Sequence, residues 1–368
     1  MLEKRLLRTL MGLLLLFSYY FTPANACTGI LLKAEDKSTV YGRTMEWGTF
    51  DLNSRVTIIP RGYSFTGLTP EGKNGKKWET KYGVVGLDML EKDFLADGIN
   101  ERGLAVGLFY HPGFAKYMSY EKDKARNTIT AVDVVAYILT QFDTLKEVRN
   151  GMQDIRVVAV YEEALRKQVD AHWIVTEPSG ESLIIEYING ELRIFDNPLG
   201  IITNAPTYDW HMINLRNYIN LSAVAIPAQN IKDLDFTRLS GSGLPGDFTP
   251  PSRFVRAVAW SQTARELKDS EETIYELFRI LDNFNVPLGS AEGSDNEDTN
   301  LNGMRSATIW TTAWDLKNKI LYFHTQHNRR VRKVELQMIN FFKLEEINHI
   351  QLDDDPKKQD IKDITPAN

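Results

Sequence analysis

Ala24-Asn25-Ala26-Cys27-Thr28-Gly29 is the stretch on which the reading of this chain turns. Cys27 is the single cysteine of 368 residues, and it follows directly on a small-x-small triplet of the kind that signal peptidase cuts. Upstream stand a basic start (Lys4, Arg5, Arg8), an apolar run from Leu10 to Phe17, then Tyr19, Tyr20, Phe21 and Pro23. This layout predicts a secretory signal peptide over residues 1–26 and an exported protein, periplasmic or fully secreted, whose first residue is Cys27. A thiol on a first residue lies within reach of that residue's own α-amino group, a base with an unperturbed pKa of about 7.7–8.0. Nucleophile and base then sit on one amino acid, the N-terminal nucleophile arrangement.

Two other readings compete for Cys27. A lone cysteine is commonly a small buried hydrophobe, but a fresh terminus carries a charged amine that resists burial. A bacterial lipoprotein is also cut before cysteine, and would here be a non-catalytic envelope protein; its peptidase prefers leucine three residues back, where this chain has Ala24. The nucleophile ranks ahead of the lipid anchor, and both ahead of an inert thiol. With one cysteine no internal disulfide forms, so core burial must carry the fold.

A composition of 43% apolar and 25% charged residues is that of a globular protein. The formal net charge of −6 becomes more negative once the basic leader is gone, which argues against nucleic acid as a partner. No stretch after the leader approaches the ~20 apolar residues of a membrane span.

Helical periodicity concentrates in residues 129–152 and 252–283, and short strand patterns fill the rest. Residues 172–176, 182–188 and 192–195 read as a meander with a hairpin turn at Asn189-Gly190. Residues 307–314 and 320–325 read as another hairpin. Strands, helix, strands, helix, strands, with no linker, predict one domain over 27–350 in which helices cover layered sheets. Residues 290–302 lack the spacing of a calcium loop and read as a surface loop, and 351–368 as a polar, disordered tail. His324 and His327 would face opposite sides of one strand, which argues against a metal site.

At the start of the mature chain, residues 28–32 and 39–45 form a hairpin around Glu35-Asp36-Lys37-Ser38. Pairing about that turn puts Cys27 opposite Met45 or Glu46, with Arg43 close by. Arg43 and Glu46 have opposite parity, so both reach the thiol only if the sheet is irregular near Met45. A guanidinium beside the sulfur would favour thiolate, and a carboxylate beside the amine would hold its charge.

Taken together, Cys27-Thr28-Gly29, Gly42-Arg43-Thr44-Met45-Glu46, Ala96-Asp97-Gly98-Ile99-Asn100-Glu101-Arg102-Gly103-Leu104, Ile202-Thr203-Asn204-Ala205-Pro206-Thr207-Tyr208-Asp209-Trp210 and Leu244-Pro245-Gly246-Asp247-Phe248-Thr249-Pro250-Pro251-Ser252-Arg253-Phe254 resemble the choloylglycine hydrolase family of bile salt hydrolases and penicillin V acylases. The resemblance implies an α+β fold, the four-layer αββα N-terminal nucleophile hydrolase sandwich, and hydrolysis of a linear amide bond in a small N-acyl substrate. It implies Cys27 as nucleophile, Arg43 as the arginine that supports the thiolate, and Arg253 as the arginine completing the charge network. The family's amine-holding carboxylate, usually Asp, falls on Glu46. The oxyanion hole falls on the Asn204 side chain and the Tyr110 backbone N–H, in Leu108-Phe109-Tyr110. Tyr110 resembles the penicillin V acylases, where bile salt hydrolases have Asn. No cofactor is implied, and relatives of this kind often form homotetramers.

Overall fold

The computed structural model describes residues 27–224, 229–236, 243–290, 300–358 and 360–366. The signal peptide expected over 1–26 lies outside the described residues, as does most of the segment 290–302.

The chain opens with the expected hairpin, β1 (Thr28–Lys33) and β2 (Thr39–Glu46), in which Gly29 pairs with Arg43. It then lays down β3 (Arg55–Ile59), β4 (Val84–Met89), β5 (Phe94–Asn100) and β6 (Ala105–Tyr110). Helices α1 (Val134–Gln141) and α2 (Leu145–Gly151) precede the meander β7 (Ala171–Thr176), β8 (Ser182–Ile188) and β9 (Glu191–Asp196). After β10 (Ile201–Ile202) come α3 (Tyr208–Asn214), α4 (Pro250–Thr263) and α5 (Ser270–Asp282). The hairpin β11 (Thr308–Asp315) and β12 (Ile320–Thr325), then β13 (Arg332–Glu335) and β14 (Asn348–Gln351), complete the fold.

Two antiparallel sheets result, with strand orders β10-β1-β2-β11-β12-β13 and β9-β8-β7-β6-β5-β4-β3-β14. Helix α1 covers β5 and β6 of the larger sheet, while α4 and α5 cover β1, β2, β10 and β11 of the smaller. The inner faces meet: Thr312 Oγ1 and Trp314 Nε1 on β11 donate to Asp97 on β5 at 2.7 and 2.6 Å. The order helix, sheet, sheet, helix is the expected αββα sandwich. Two glycines permit the close approaches. A Cβ on Gly29 would stand 2.7 Å from the Phe109 ring of the facing sheet, and one on Gly42 would stand 2.7 Å from Leu277 of α5.

Both expected helical stretches are split. In the first, Phe142 is extended and the Thr144 side chain accepts from the Glu147 N–H to begin α2; in the second, Asp269 accepts from the Glu272 N–H to begin α5. Each is a capping residue followed three positions on by Glu, a signal present in the sequence that restarts a helix instead of continuing one. Ile129, expected in the first helix, sits in a short strand paired parallel with residues 156–158. The meander matches its expected span, and Asn189 (φ 53°) and Gly190 (φ 82°) give its turn the left-handed backbone a two-residue hairpin needs. At the other end, packing continues past residue 350. Gln351 pairs with Arg55, Leu352 is buried, and Asp353 accepts hydrogen bonds from Thr325 and Arg332.

Candidate active site

Cys27 stands at the head of β1, 2% exposed. Its Sγ lies 3.9 Å from Met45 Sδ, as the hairpin register requires with Thr28 opposite Thr44. The pairing of β1 with β2 is regular, so Arg43 and Glu46 keep opposite faces; the irregularity near Met45 falls on the facing strand. Thr308 pairs with Glu46 and Trp310 with Met45, leaving Ile309 as a bulge in β11. Arg43 and Met45 share the sulfur's face. The backbone N–H of Glu46 supports the charged sulfur, whereas the Glu46 carboxyl lies on the other face, where its Oε1 accepts from Thr308 Oγ1 at 3.1 Å. The Thr44 hydroxyl touches the same carboxyl and accepts the Thr28 N–H at 3.2 Å, so Glu46 sits one hydroxyl away from the Cys27–Thr28 peptide group.

Arg43 is fully buried and replaces a missing rung of the larger sheet. Its Nη1 donates to the carbonyls of Ala96 (3.1 Å) on β5 and Leu108 on β6, where the ladder between those strands has opened. Its guanidinium lies 4.1 Å from the Phe109 ring centroid, and Nη2 is 3.7 Å from Met45 Sδ. Burial works against the Arg43 charge, but the thiol, Tyr41 and Asp97 outweigh it. For Cys27 the balance goes the other way. Burial pushes the thiol up, and Arg43 and Arg253 oppose this without winning. Arg43 thus favours thiolate as expected, but desolvation of the buried sulfur is the larger effect.

Arg253, near the start of α4, ties the remaining residues together. Its Nη1 donates to the Cys27 carbonyl and to Thr28 Oγ1 (2.9 Å), Nη2 to Asn204 Oδ1 (2.7 Å), and Nε to the Phe248 carbonyl (2.9 Å). Burial draws its pKa down to about 10. Asn204 Nδ2 in turn donates to the Tyr110 carbonyl at 2.7 Å. Because His111 N–H bonds to the Asp170 carbonyl, the alternation of an antiparallel ladder leaves the paired residue Tyr110 with its N–H and C=O turned away from β7, toward Asn204. Through Arg253 the Asn204 amide and the Tyr110 backbone are thus linked to Cys27. All six expected residues, Cys27, Arg43, Glu46, Tyr110, Asn204 and Arg253, are brought to one place.

Sequence reasoning did not find the layer behind Asn204. His172 Nε2 lies 3.0 Å from the Thr203 carbonyl, His211 Nε2 3.0 Å from the Asn204 carbonyl, and His111 Nε2 3.3 Å from the Pro206 carbonyl. Glu186 Oε1 holds His172 Nδ1 (3.0 Å) and the Tyr208 N–H (2.9 Å). No motif announces this clamp, because its members come from β7, β8, α3 and the residue just after β6. His111, His172 and Glu186 offer three potential metal ligands within 4.8 Å of one another. The two imidazoles, however, stack at 4.1 Å with planes 6° apart, and one ion cannot lie in both ring planes.

A narrow chamber of about 40 Å³ adjoins the sulfur, walled by Trp47, Leu52, Met89, Leu108 and Leu165 with Lys167. It shares Phe94, Val132, Glu162 and Val169 with a cleft of about 700 Å³. An acyl group therefore has apolar surface next to the nucleophile and a larger opening beyond it.

Residues 27–354 match the family model of linear amide C–N hydrolases, choloylglycine hydrolase family. The chain belongs to the choloylglycine hydrolase family. It is 30% identical over 325 residues to a bile salt hydrolase/transferase of Clostridium perfringens, covering 85% of this chain and 93% of that protein. It is 26% identical over 314 residues to a penicillin V acylase of Pectobacterium atrosepticum, covering 82% and 78%. In structure it resembles a mutant of the C. perfringens conjugated bile acid hydrolase, with a TM-score of 0.79 and 26% identity over 92% of this chain and all of that one. The enzyme is thus a linear amide C–N hydrolase, and no helix among its described residues is long and apolar enough to cross a membrane.

In this hydrolase the clamp makes a pH-dependent contribution. Burial lowers His211 from an ordinary 6.5 to about 4, so between those values the unfolded chain binds the proton and the folded one does not; stability then falls with decreasing pH. His211→Gln removes that titration. The stability deficit of the variant should shrink by about 3 kcal/mol as pH falls from 6.5 to 4, read as the difference between the two denaturation curves. A deficit independent of pH would refute the assignment.

Proposed function

We propose that removal of residues 1–26 frees Cys27 as an N-terminal nucleophile, and that the exported enzyme cleaves N-acyl amides of the penicillin V type. The observation that carries this reading is the Glu46 carboxyl. It is buried, its Oε2 has no hydrogen-bond partner among the described residues, and desolvation raises its pKa to about 8. Arg253 and Arg43 pull on it without forming an ion pair and do not offset its burial, so a cation in direct contact is wanted. The amine of a freed Cys27, next to Thr28 and Thr44, supplies one when it takes the thiol proton.

The α-amine takes the thiol proton as sulfur attacks the substrate carbonyl carbon. A thiol that stays protonated until attack suits the upward shift at Cys27. The oxyanion is received by the Asn204 amide and the Tyr110 N–H, each donor of this kind being worth roughly 3–4 kcal/mol. As the C–N bond breaks, the α-ammonium returns the proton to the leaving nitrogen. Water then adds to the thioester with the amine as base, and the thiol leaves with its proton restored.

Tyr110 in the oxyanion motif and the aromatic and aliphatic chamber favour a phenoxyacetyl or fatty acyl group. An N-acyl homoserine lactone would be a native substrate of this shape. Conjugated bile salts are the second reading, favoured by the 30% identity to the C. perfringens enzyme. A homotetramer is the assembly proposed with this family.

Protein that begins at Cys27 should hydrolyse penicillin V, glycocholate or decanoyl homoserine lactone, with penicillin V the best of the three. Protein carrying one extra residue before Cys27 should be inactive, since an acylated nitrogen is no base. Intact mass of the exported protein must give an unmodified Cys27; a lipid adduct there, or equal activity with the added residue, would overturn the proposal.

A further inference from the structure

Glu186 is a buried carboxyl that the reaction leaves unused, and it stands against the segment carrying Asn204. Its Oε1 touches His172 Nδ1 at 3.0 Å, and the same oxygen accepts the Tyr208 N–H at 2.9 Å. On the far side of the ring, His172 Nε2 meets the Thr203 carbonyl at 3.0 Å. A carbonyl oxygen only accepts, so Nε2 must carry hydrogen. A neutral imidazole has one N–H, which leaves Nδ1 as a lone pair facing a carboxyl oxygen. Two lone pairs do not hold each other at 3.0 Å. Glu186 and His172 therefore share one proton, carried either on the ring or on the carboxyl.

The surroundings place that proton on the carboxyl. Glu186 Oε2 has no hydrogen-bond partner among the described residues, so an ionised carboxylate would keep a bare charge in the core. Arg193, opposite Glu186 across β8 and β9, and Asp209 on α3 act on it with opposite signs and form no ion pair with it. His111 approaches to 3.9 Å, but its Nε2 donates to the Pro206 carbonyl at 3.3 Å and its ring stacks on that of His172, where two cations would repel. Burial raises Glu186 to about 7 and lowers His172 to about 4, which agrees with that placement. Three neutral imidazoles thus donate to the carbonyls of Thr203, Asn204 and Pro206, and one carboxylic acid completes the set.

We propose that Glu186, as the un-ionised acid, is a positioning residue of the oxyanion site: through His172 and the Tyr208 N–H it fixes the backbone on both sides of Asn204. This rests on the assignment of Asn204 to the oxyanion made above. Loss of the proton forces a choice. Either the ring keeps its Nε2–H and turns a lone pair to a carboxylate, or its hydrogen moves to Nδ1 and Thr203 is released. Both loosen the backbone behind the amide that Arg253 holds at Oδ1.

Kinetics of the mature protein and its variants on penicillin V and glycocholate test this. Glu186→Ala should lower kcat by roughly 10- to 100-fold, the scale for a reacting group displaced by about an ångström, with KM near that of wild type. Glu186→Gln keeps a donor for His172 and an acceptor for Tyr208 and cannot ionise. It should restore most of kcat, and the ratio of its kcat to that of wild type should rise severalfold between about pH 6 and about pH 8, as the wild-type carboxyl loses its proton. A purely structural carboxyl predicts lower thermal stability in Glu186→Ala with kcat per folded molecule unchanged; that result, or a ratio independent of pH, overturns the inference. If Glu186→Ala does not fold, the glutamine ratio decides alone. Asn204→Ala, with an expected loss of roughly 10²–10³-fold, separates this inference from the one beneath it. Should it lose activity while Glu186→Ala does not, the oxyanion site stands and the role of Glu186 falls; should it keep wild-type kcat, the oxyanion assignment falls and takes this one with it. Nitrogen-15 NMR at about pH 6 should show His172 neutral and protonated on Nε2; an imidazolium there overturns the inference whatever the substrate.

Discussion

In the mature enzyme, Cys27→Ala should lose amide hydrolysis by about 10⁴-fold or more, with the fold retained. The magnitude follows from the loss of a covalent route: an oxyanion site and bound substrate still accelerate attack by water, but only by the residual factor seen when a nucleophile is deleted. Retention of the fold follows from the contacts. The Cys27 side chain touches Met45 Sδ at 3.9 Å, while its main-chain carbonyl, held by Arg253, is untouched by the change. Cys27→Ser should be nearly as inactive, because a hydroxyl is a far weaker nucleophile than a thiol at the same pH. Penicillin V hydrolysis and thermal denaturation, measured side by side, check both halves. Residual activity above about one per cent would sink the nucleophile assignment, and a collapsed melting curve would show that Cys27 is structural.

Arg43→Leu should destabilise the protein by about 3–5 kcal/mol, the scale for breaking a buried charge network by removing one partner. That corresponds to a fall of roughly 4–7 °C in Tm for a chain of this size. The leucine fills part of the space under Phe109 and Trp310 but leaves the Ala96 and Leu108 carbonyls without donors in the opened ladder between β5 and β6. It also removes the cation that pulls on Asp97, whose pKa burial already raises to about 6. A carboxyl whose folded pKa lies above its unfolded value contributes stability at low pH and loses it as pH rises. With Arg43 gone that pKa climbs further, so the penalty should be larger at pH 8 than at pH 5. Melting curves at the two pH values test this. A loss of activity without loss of stability would mean that Arg43 serves the sulfur alone and not the sheet.

Local reading of the sequence went far at the two ends of the fold. The hairpin carrying Cys27, the Asn189-Gly190 meander and the hairpin of β11 and β12 are legible because strand alternation and turn chemistry act over a few residues. The same locality explains the misjudged helices. Periodicity ran through residues 142–144 and 264–269, where Thr144 and Asp269 start new helices, and the capping pairs with Glu147 and Glu272 were the signal to stop. The parity conflict between Arg43 and Glu46 remains in the folded sheet, and the irregularity near Met45 lies in β11. Sequence could not say that the extra residue is Ile309, 263 positions beyond Glu46, because register between distant strands depends on which strands meet.

The order of residues by itself determined that the single cysteine follows a small-x-small triplet, that no internal disulfide forms, and that a set of short motifs matches one hydrolase family, whose model covers residues 27–354. Those facts are local or additive, and a linear text carries them. Tertiary structure alone decided that burial pushes the Cys27 thiol up in spite of two arginines, that Glu46 lies buried without an ion pair among the described residues, and that four histidine and glutamate side chains clamp the Asn204 segment. The reason is that desolvation and charge pairing depend on what surrounds a group in space. Residues as far apart as Cys27 and Arg253 become neighbours only when both sheets close around them.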